Sequence, residues 1–174
     1  MTAPFSTDSM KAKTLPKIYL RAPETHRDLD RLFRWEHTQR RGFDVSQDAP
    51  PAPSRMELWE FLNNYRHSLA DDRQLRYMVD TDDPEEIAVT VGYVDLCDYD
   101  AATATAYVSI FTAESMRRRG YARAALAALE DRCKTLGVRH LRVAVSLSNE
   151  PSRCLFAAAG YTSGGGDVLF TKDI

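Results

Sequence analysis

An arginine-rich turn carries the residue types in this sequence that most clearly indicate chemistry. Arg117, Arg118 and Arg119 directly precede Gly120 and a predicted helix that begins near Tyr121. Cations are unfavourable at a helix N-terminus, because the helix macrodipole already places positive charge there. The conflict disappears when an anion binds, since the N–H groups of the first turn and the arginine side chains would both face it. The pattern therefore predicts an anion site, and a solvated arginine cluster is the alternative.

The cysteines and histidines are not spaced like those of a metal site or a dithiol site. Cys97, Cys133 and Cys154 form no C-x-x-C pair, and the four histidines form no i,i+4 pair and no H-E-x-x-H motif. The sequence also lacks G-x-x-x-x-G-K-[ST] and G-x-G-x-x-G, the glycine-rich motifs of common nucleotide sites. We therefore expect no metal site, and no nucleotide site built on either of these glycine-rich motifs.

The length and composition of the chain fit one compact domain. It has 174 residues, of which 44% are hydrophobic, and we expect a flexible tail over residues 1–15 and a single domain over 16–174. The formal net charge of −2 argues against a nucleic-acid binder, which normally carries a basic excess. No apolar run approaches the roughly 18 residues of a membrane-spanning helix, and the first residues do not resemble a secretory signal. We therefore expect a cytoplasmic protein that binds neither nucleic acid nor membrane.

The amino-terminal half predicts two helices on either side of a proline-rich loop. A short strand at 18–20 precedes a helix whose start, Thr25-x-x-Asp28, resembles a capping box. The loop over 45–54 contains three prolines, and it either borders a substrate site or is a connector. Residues 54–57 form a complete S-x-x-E capping box that begins the second helix. The predicted apolar stripe of that helix consists of Leu58, Phe61, Leu62, Tyr65 and Leu69.

The carboxy-terminal half predicts a strand-rich region and then alternating helices and strands. Gly92, inside one of the strands, predicts a bulge or a close backbone approach, and residues 98–100 predict a turn. The arginine-rich turn lies between a strand and a helix. The elements expected from periodicity and turn residues are strands over 75–79, 87–96 and 105–112, a helix over 121–136, a strand over 141–147, a helix over 151–159 and a closing strand over 168–170.

The arginine motif and its surroundings resemble one known family. Residues 117–122, RRRGYA, match the R/Q-x-x-G-x-G/A motif of the GNAT superfamily of acyl-CoA-dependent N-acyltransferases. Asn149, Leu155-Phe156 and Gly160-Tyr161 follow in the order of the family's N…LY…GF segment. The amino-terminal half is more loosely similar to the branch of ribosomal-protein alanine and spermidine acetyltransferases. The resemblance implies an α+β fold, with a mixed, mostly antiparallel central sheet that is splayed at the acyl-CoA site and flanked by helices on both faces.

The resemblance assigns acetyl-CoA, as co-substrate, to three segments of the chain. Backbone groups of residues 110–112 would pair with the pantetheine arm, and backbone amides of residues 117–122 would hold the pyrophosphate. Asn149 would hydrogen-bond the pantetheine, and Phe156 would sit near the thioester sulfur. A strand amide near residues 111–112 would stabilise the thioester oxygen. The implied cofactor-binding residues are Ile110, Phe111, Thr112, Arg117, Arg118, Arg119, Gly120, Tyr121, Ala122, Asn149 and Phe156.

Two departures from the family's pattern leave the catalytic groups open. Phe156 stands where the family often has a tyrosine that protonates the leaving thiolate, and phenylalanine has no hydroxyl group. The strand over 105–112 contains no glutamate, which many members use there as a base. The catalytic candidates that remain are Tyr107, Ser109, Glu114 and Glu36. Solvated surface charge is the preferred interpretation of four acidic residues, namely Glu36 on the first helix, Asp95 and Asp98 beyond the preceding strand, and Glu114 in the loop after the strand over 105–112.

The residues and the resemblance together predict transfer of an acetyl group from acetyl-CoA to a primary amine, by direct attack, in a monomer or homodimer. A side-chain amine of pKa about 10.4 is about 0.04% neutral at pH 7, whereas an α-amino group is about ten to twenty per cent neutral. The missing strand glutamate therefore favours an α-amine, of a protein N-terminus or a small molecule, as acceptor. The alternative is a degenerate CoA-binding or regulatory module without turnover.

Overall fold

The structure, a computed structural model, describes residues 14–38, 51–71, 74–81, 88–164 and 168–174. Most of the predicted tail and most of the proline-rich loop lie outside the described residues. The division into a tail and a single domain stays a prediction. Within the described ranges, no helix combines the length and the apolar character needed to cross a bilayer.

Within the described residues, seven strands form one sheet, in the order β1-β2-β3-β4-β5-β7-β6, and of these strands only β4 and β5 pair in parallel. This confirms the predicted α+β fold with a mostly antiparallel sheet. The element bounds are β1 Ile18–Arg21, α1 Thr25–Thr38, α2 Arg55–Asn64, β2 Gln74–Thr81, β3 Thr90–Asp100, β4 Thr105–Thr112, a 3-10 turn Glu114–Met116, α3 Tyr121–Leu136, β5 His140–Ala144, α4 Glu150–Ala158, β6 Thr162–Ser163 and β7 Leu169–Asp173.

Helices cover both faces of the sheet, as predicted. Helix α3 packs against β1, β3 and β4, and it buries Leu126 and Leu129 in one core together with Val79 of β2. Helices α1 and α2 pack against each other and form the second core on the opposite face, around Leu32 and Met78. Because successive side chains of a strand point to opposite faces, β2 contributes to both cores.

The two amino-terminal helices begin at side-chain caps. The Glu57 backbone N–H donates to the Ser54 hydroxyl at 3.2 Å, and the Ser54 N–H donates to the Glu57 carboxylate at 2.7 Å. This confirms the predicted capping box of α2. Helix α1 is capped one residue earlier than predicted, because the Asp28 carboxylate accepts from the N–H of Glu24 at 2.8 Å.

Two element ends differ from the prediction in the middle of the chain. Helix α2 ends at Asn64 because Tyr65 is extended, with φ −69° and ψ 118°. Tyr65 and Leu69 of the predicted stripe therefore lie beyond the helix. Strand β3 continues through the predicted turn at 98–100, and the chain turns over 101–104 instead.

Strand β5 is shorter than its alternating sequence predicts. It ends at Ala144, and Val145 then donates its N–H to the carbonyl of Val168 at 2.7 Å. Leu147, the last residue of the predicted strand, is 61% exposed. Alternation indicates an extended chain, but it does not show where a strand loses its partner in the sheet.

Gly92 brings β3 and β4 close together. A Cβ atom at this position would lie 2.1 Å from the carbonyl oxygen of Phe111. The register between β2 and β3 shifts here, since Val79 pairs with Gly92 and Asp80 with Thr90. The bulge and the close approach predicted from this glycine are both present.

Candidate active site

Strands β4 and β5 are paired at one end and separate at the other. Three registered pairs join them, from Thr105–His140 to Tyr107–Arg142. Beyond these pairs β4 continues to Thr112 and β5 to Ala144 without facing each other in the sheet. The gap opens into a cavity of about 720 Å³, a volume typical of small-molecule sites. The sheet is therefore splayed, as the resemblance implied.

The separated part of β4 offers backbone groups to this cavity. Ala113 donates its N–H to the carbonyl of Val91 at 2.8 Å, so alternate residues of β4 direct their backbone groups toward β3. Phe111 is one of these residues. The backbone groups of Ile110 and Thr112 consequently face the opening. Of the three residues expected to pair with a pantetheine arm, Ile110 and Thr112 have the required direction, whereas the backbone of Phe111 faces β3.

The arginine-rich turn lies between the splayed end of β4 and the start of α3. Gly120 is the N-cap residue of α3 with φ +90°, and no side chain caps the helix. Gly120 therefore supplies no side-chain acceptor to the N–H groups of the first turn. Arg118 also has a positive φ, of 61°, and Arg117 donates from Nε to the carbonyl of Thr112 at 3.2 Å. Uncapped amides and arginines thus meet at one end of the opening, as an anion site requires.

The start and the middle of α4 form a further wall of the cavity. Asn149 is the N-cap residue, and its Oδ1 accepts from the N–H of Ser152 at 3.2 Å. Phe156 is buried and lines the cavity, and its ring meets Tyr161 edge-on at 5.1 Å between centroids. The Tyr161 hydroxyl is buried without a hydrogen-bond partner in the described part of the chain, and burial raises its pKa. The Phe156 ring, which has no hydroxyl group, therefore offers no proton donor at this wall of the cavity.

Polar side chains form a regular pattern on the cavity face of the sheet. Residues two apart on a strand share a face, and the register of β2, β3 and β4 aligns them into rows across the sheet. One row is mainly apolar and two contain polar groups. The rows are Met78-Tyr93-Phe111, Arg76-Asp95-Ser109 and Gln74-Cys97-Tyr107.

A buried ion pair occupies the middle row. Arg76 donates from Nε and Nη2 to the two carboxylate oxygens of Asp95, each at 2.9 Å, and Gln74 donates to Asp95 Oδ2 at 2.6 Å. Arg76 is 7% exposed and Asp95 is 1% exposed. Burial by itself would lower the pKa of Arg76, but the charge and the hydrogen bonds of Asp95 outweigh it and raise that pKa. The guanidinium therefore stays charged, and it stacks 3.9 Å from the centroid of the Tyr93 ring.

Glu36 of α1 faces this ion pair. Its Oε1 accepts from the Tyr93 hydroxyl at 2.7 Å and lies 3.9 Å from Arg76 Nη1. Burial raises the pKa of Tyr93, and Glu36 adds to this effect while Arg76 opposes it. Tyr93 therefore keeps its proton and donates to Glu36.

Three of the four predicted catalytic candidates line the cavity, namely Glu36, Tyr107 and Ser109. Glu114 lies exposed on the 3-10 turn and does not form part of the cavity wall. The prediction of solvated surface charge is wrong for Glu36 and Asp95, because α1 and β3 turn both side chains into the space between helix and sheet.

Sequence reasoning missed Arg76, Tyr93 and Gln74 as members of the site. The available signal was the alternation of Gln74 and Arg76 with the apolar Leu75 and Tyr77, because residues two apart share one face of a strand. A polar pair on the buried face of a strand needs partners, and here these partners are Asp95 and Glu36.

Neither metal nor thiolate chemistry is indicated by the described residues. Within them, no group of three or more His, Cys, Asp and Glu side chains could hold a metal ion. Cys97 is a free cysteine that lines the cavity. Burial, with smaller contributions from Asp95 and Asp98, raises the pKa of its thiol to about 12. Cys97 is therefore protonated at neutral pH.

Solved structures with this fold include several acetyltransferases. The spermidine N-acetyltransferase of Vibrio cholerae in complex with CoA and spermine has a TM-score of 0.70 and 22% identity, over 90% of this chain and 93% of that one. RimJ of Mycobacterium smegmatis in complex with a CoA disulfide has a TM-score of 0.72 and 19% identity, over 90% of this chain and 81% of that one. RimL, a ribosomal L7/L12 α-N-protein acetyltransferase in complex with CoA, has a TM-score of 0.73 and 16% identity, over 91% of this chain and 94% of that one.

At these identities the solved structures show a shared fold. No protein of curated function matches this chain by sequence search. The family model of the acetyltransferase (GNAT) domain matches residues 17–162, a span that contains the splayed strands, the arginine-rich turn and α4. The chain therefore belongs to the GNAT family of acetyltransferases.

Proposed function

We propose that this protein transfers the acetyl group of acetyl-CoA to a primary amine. The observation that carries the proposal is the separation of β4 from β5 beside the uncapped start of α3. An extended, amide-containing arm can add to the β4 edge through backbone hydrogen bonds, as peptides add to exposed strand edges. A pyrophosphate can accept from the first amides of α3 and from the arginine side chains. The related structures that contain CoA support this assignment.

The proposed contacts follow the sequence prediction with one change. Ile110 and Thr112 offer backbone groups to the pantetheine arm, whereas Phe111 contributes to the cavity wall. Residues 117–122 hold the pyrophosphate. Asn149 offers its side-chain amide to the arm, and Phe156 lies near the thioester sulfur.

The proposed reaction is balanced without any further reactant. The amine nitrogen forms a bond to the acetyl carbon, the carbon–sulfur bond breaks, and the products are an N-acetyl amine and the CoA thiol. A neutral amine loses one proton and the sulfur gains one, whereas an ammonium acceptor releases one proton to solvent. Glu36 is the carboxylate in the cavity that can receive the proton of the nitrogen, and Tyr107 is a hydroxyl that can donate toward the sulfur.

Phe156 favours a second candidate function, namely a CoA-binding module without turnover. The two candidates differ in one measurement. A thiol reagent follows the release of CoA from acetyl-CoA in the presence of each of a panel of primary amines. For an enzyme, the rate of this release should depend on which amine is added. A module would bind CoA and release none with any amine.

Binding of CoA is tested separately by thermal unfolding. Saturation at about 100 times Kd stabilises a protein by about 2.7 kcal/mol, which corresponds to about 5–10 °C in Tm at this chain length. Gly120→Glu should abolish this shift, since it places bulk and negative charge at the anion site. Gly137→Glu is the matched control, because Gly137 ends the same helix with φ +79° and open space around it. An unshifted Tm of the folded wild type in millimolar CoA would refute the proposal.

A further inference from the structure

We infer that a buried ion cluster at the start of α1, built on Asp28 and Arg21, positions Glu36 for acetyl transfer. Neither Asp28 nor Arg21 lines the cavity, so both are positioning residues that act through Glu36. This inference rests on the proposed function, because that function uses Glu36 to receive the proton of the amine nitrogen.

Arg21 of β1 binds both carboxylate oxygens of Asp28. Its Nη1 donates to Asp28 Oδ2 at 2.6 Å, and its Nη2 donates to Asp28 Oδ1 at 2.8 Å. Asp28 is completely buried. Burial by itself would raise the pKa of Asp28, but the hydrogen bonds from Arg21 and from the Glu24 N–H outweigh it and lower that pKa. Asp28 is therefore an ionised group whose two oxygens are fixed in direction, which a non-directional apolar contact does not achieve.

The ion cluster joins α1 to three strands of the sheet. Arg21 also donates from Nε to Asp80 Oδ2 of β2 at 2.8 Å. Arg31 of α1 donates to Asp28 Oδ1 and to the Thr90 hydroxyl of β3, each at 2.9 Å. Charged and directional bonds thus tie the first two turns of α1 to β1, β2 and β3.

Helix α1 and strand β2 carry the same order of residue types on their facing sides. Three buried residues spaced four apart follow one face of α1, and three spaced two apart follow one face of β2. They are Asp28, Leu32 and Glu36 on α1, and Asp80, Met78 and Arg76 on β2. The middle residues of both sets belong to one apolar core. The charged residues at one end are joined through Arg21, and Glu36 lies 3.9 Å from Arg76 at the other.

The two sets of residues also span matching lengths. Eight residues of helix between Asp28 and Glu36 rise about 12 Å, and four residues of strand between Asp80 and Arg76 span about 13 Å. The polar contacts at both ends can therefore form together in one axial position of α1. A shift of α1 by one residue would turn its face by about 100° and break both. The ion cluster at Asp28 consequently determines where the Glu36 carboxylate lies.

The role proposed for Glu36 depends on this placement. Glu36 accepts from the Tyr93 hydroxyl of β3 at 2.7 Å, a bond whose length follows the separation of α1 from the sheet. A group that receives a proton must lie within hydrogen-bonding distance of the atom that carries it, and a misplacement of about 1 Å can slow a reaction about 100-fold. Loosening the ion cluster should therefore slow acetyl transfer from outside the cavity.

The variant Asp28→Asn tests this inference, because it keeps the shape of the side chain and removes the charge that Arg21 binds. In the CoA-release assay, with the amine that the wild type acetylates fastest, we expect kcat/KM to fall at least about tenfold. The CoA-induced Tm shift should be unchanged. Asp30→Asn is the matched control, because it removes the same charge from an exposed pair of the same helix, in which Asp30 is 75% exposed and lies 2.6 Å from Arg55. This control should stay within about twofold of the wild type.

A double-variant cycle distinguishes positioning from a general loss of stability. Asp28 and Glu36 lie two helical turns apart, and effects at such a distance usually add when the residues act independently. Glu36→Gln alone should lower kcat/KM at least about tenfold. If Asp28 acts through Glu36, adding Asp28→Asn to Glu36→Gln should cause less than about a twofold further loss. Leu129→Ala, in the core on the opposite face of the sheet, should lower Tm and leave kcat/KM unchanged at temperatures where it is folded.

The variant Arg21→Lys gives the same comparison if Asp28→Asn does not fold. Lysine keeps the positive charge but has one nitrogen, so it cannot bind both oxygens of Asp28 in the plane of a guanidinium. We expect kcat/KM to fall at least about fivefold in the otherwise wild-type protein. In the Glu36→Gln protein, Arg21→Lys should cause no further loss.

The outcomes separate this inference from the proposed function. If Asp28→Asn lowers kcat/KM by the same factor with Glu36 and with Gln at this position, or by no more than Asp30→Asn, the ion cluster does not position Glu36, while the acetyltransferase activity stands. The same conclusion follows if Glu36→Gln leaves kcat/KM unchanged. If no amine releases CoA, the proposed function fails and this inference fails with it.

Discussion

Replacing one member of the buried Arg76–Asp95 pair should destabilise the protein far more than replacing both. Both Asp95 oxygens accept from Arg76 at 2.9 Å, and neither residue is more than 7% exposed. Removing one partner of such a pair leaves an uncompensated buried charge and costs about 3–5 kcal/mol, whereas an apolar pair of similar volume is often neutral. We therefore expect strong coupling in a cycle of Arg76→Met, Asp95→Leu and the double variant.

The two single variants should not be equal. Arg76→Met leaves the Asp95 carboxylate, which is 1% exposed, without the guanidinium that binds both of its oxygens, so we expect the upper part of the range, about 4–5 kcal/mol. Asp95→Leu leaves the guanidinium with Glu36 at 3.9 Å, so we expect about 3 kcal/mol. The double variant should be destabilised by less than either single variant, which gives a coupling energy of several kcal/mol.

Urea unfolding followed by tryptophan fluorescence measures these changes, since Trp35 lies in the cavity wall. An unchanged m-value indicates that the midpoints report stability rather than a change in the denatured state. The Asp131–Lys134 pair on α3 is the control. Lys134 Nζ lies 3.1 Å from Asp131 Oδ1, and the side chains of Asp131 and Lys134 are 79% and 59% exposed. Its coupling should not exceed about 0.5 kcal/mol. Additive losses in the Arg76–Asp95 cycle would refute the assignment of a buried, mutually dependent pair.

Two further substitutions test the region around the reacting groups. Phe156→Tyr should raise kcat at least tenfold with little change in CoA affinity, because a positioned general acid typically accelerates a reaction 10²–10⁴-fold. If Phe156→Tyr leaves kcat unchanged and Tyr107→Phe abolishes it, the acid lies on β4 instead. Gly92→Ala should lower the free energy of unfolding by more than about 2 kcal/mol, since its Cβ would lie 2.1 Å from the carbonyl oxygen of Phe111. The free energy of unfolding is measured by chemical denaturation. If the Gly92→Ala variant is as stable as the wild type, β3 and β4 do not approach as closely as the structure indicates.

Features with a local physical cause were predictable from the sequence. The Ser54 capping box, the αL glycine that ends α3 and the start of α3 after Gly120 depend on residues within a few positions of one another. Strand β4 and helix α3 have the predicted bounds for the same reason. The motif of residues 117–122 and the order of elements around it sufficed to indicate the family, because both are read along the chain.

The composition of the acceptor side was decided by tertiary structure. Glu36 and Asp95 appear in the sequence as ordinary acidic residues, and Arg76 as one of several polar residues in β2. Strand alternation determines which residues share a face, but it does not determine which strands pair or in what register, because those hydrogen bonds join residues far apart in the chain. The register of β2, β3 and β4 and the packing of α1 bring Glu36 and Asp95 within 4 Å of Arg76. The point at which β5 ends its pairing with β7, at Ala144, also depends on non-local contacts, and for this reason the sequence predicted a longer β5 than the structure contains.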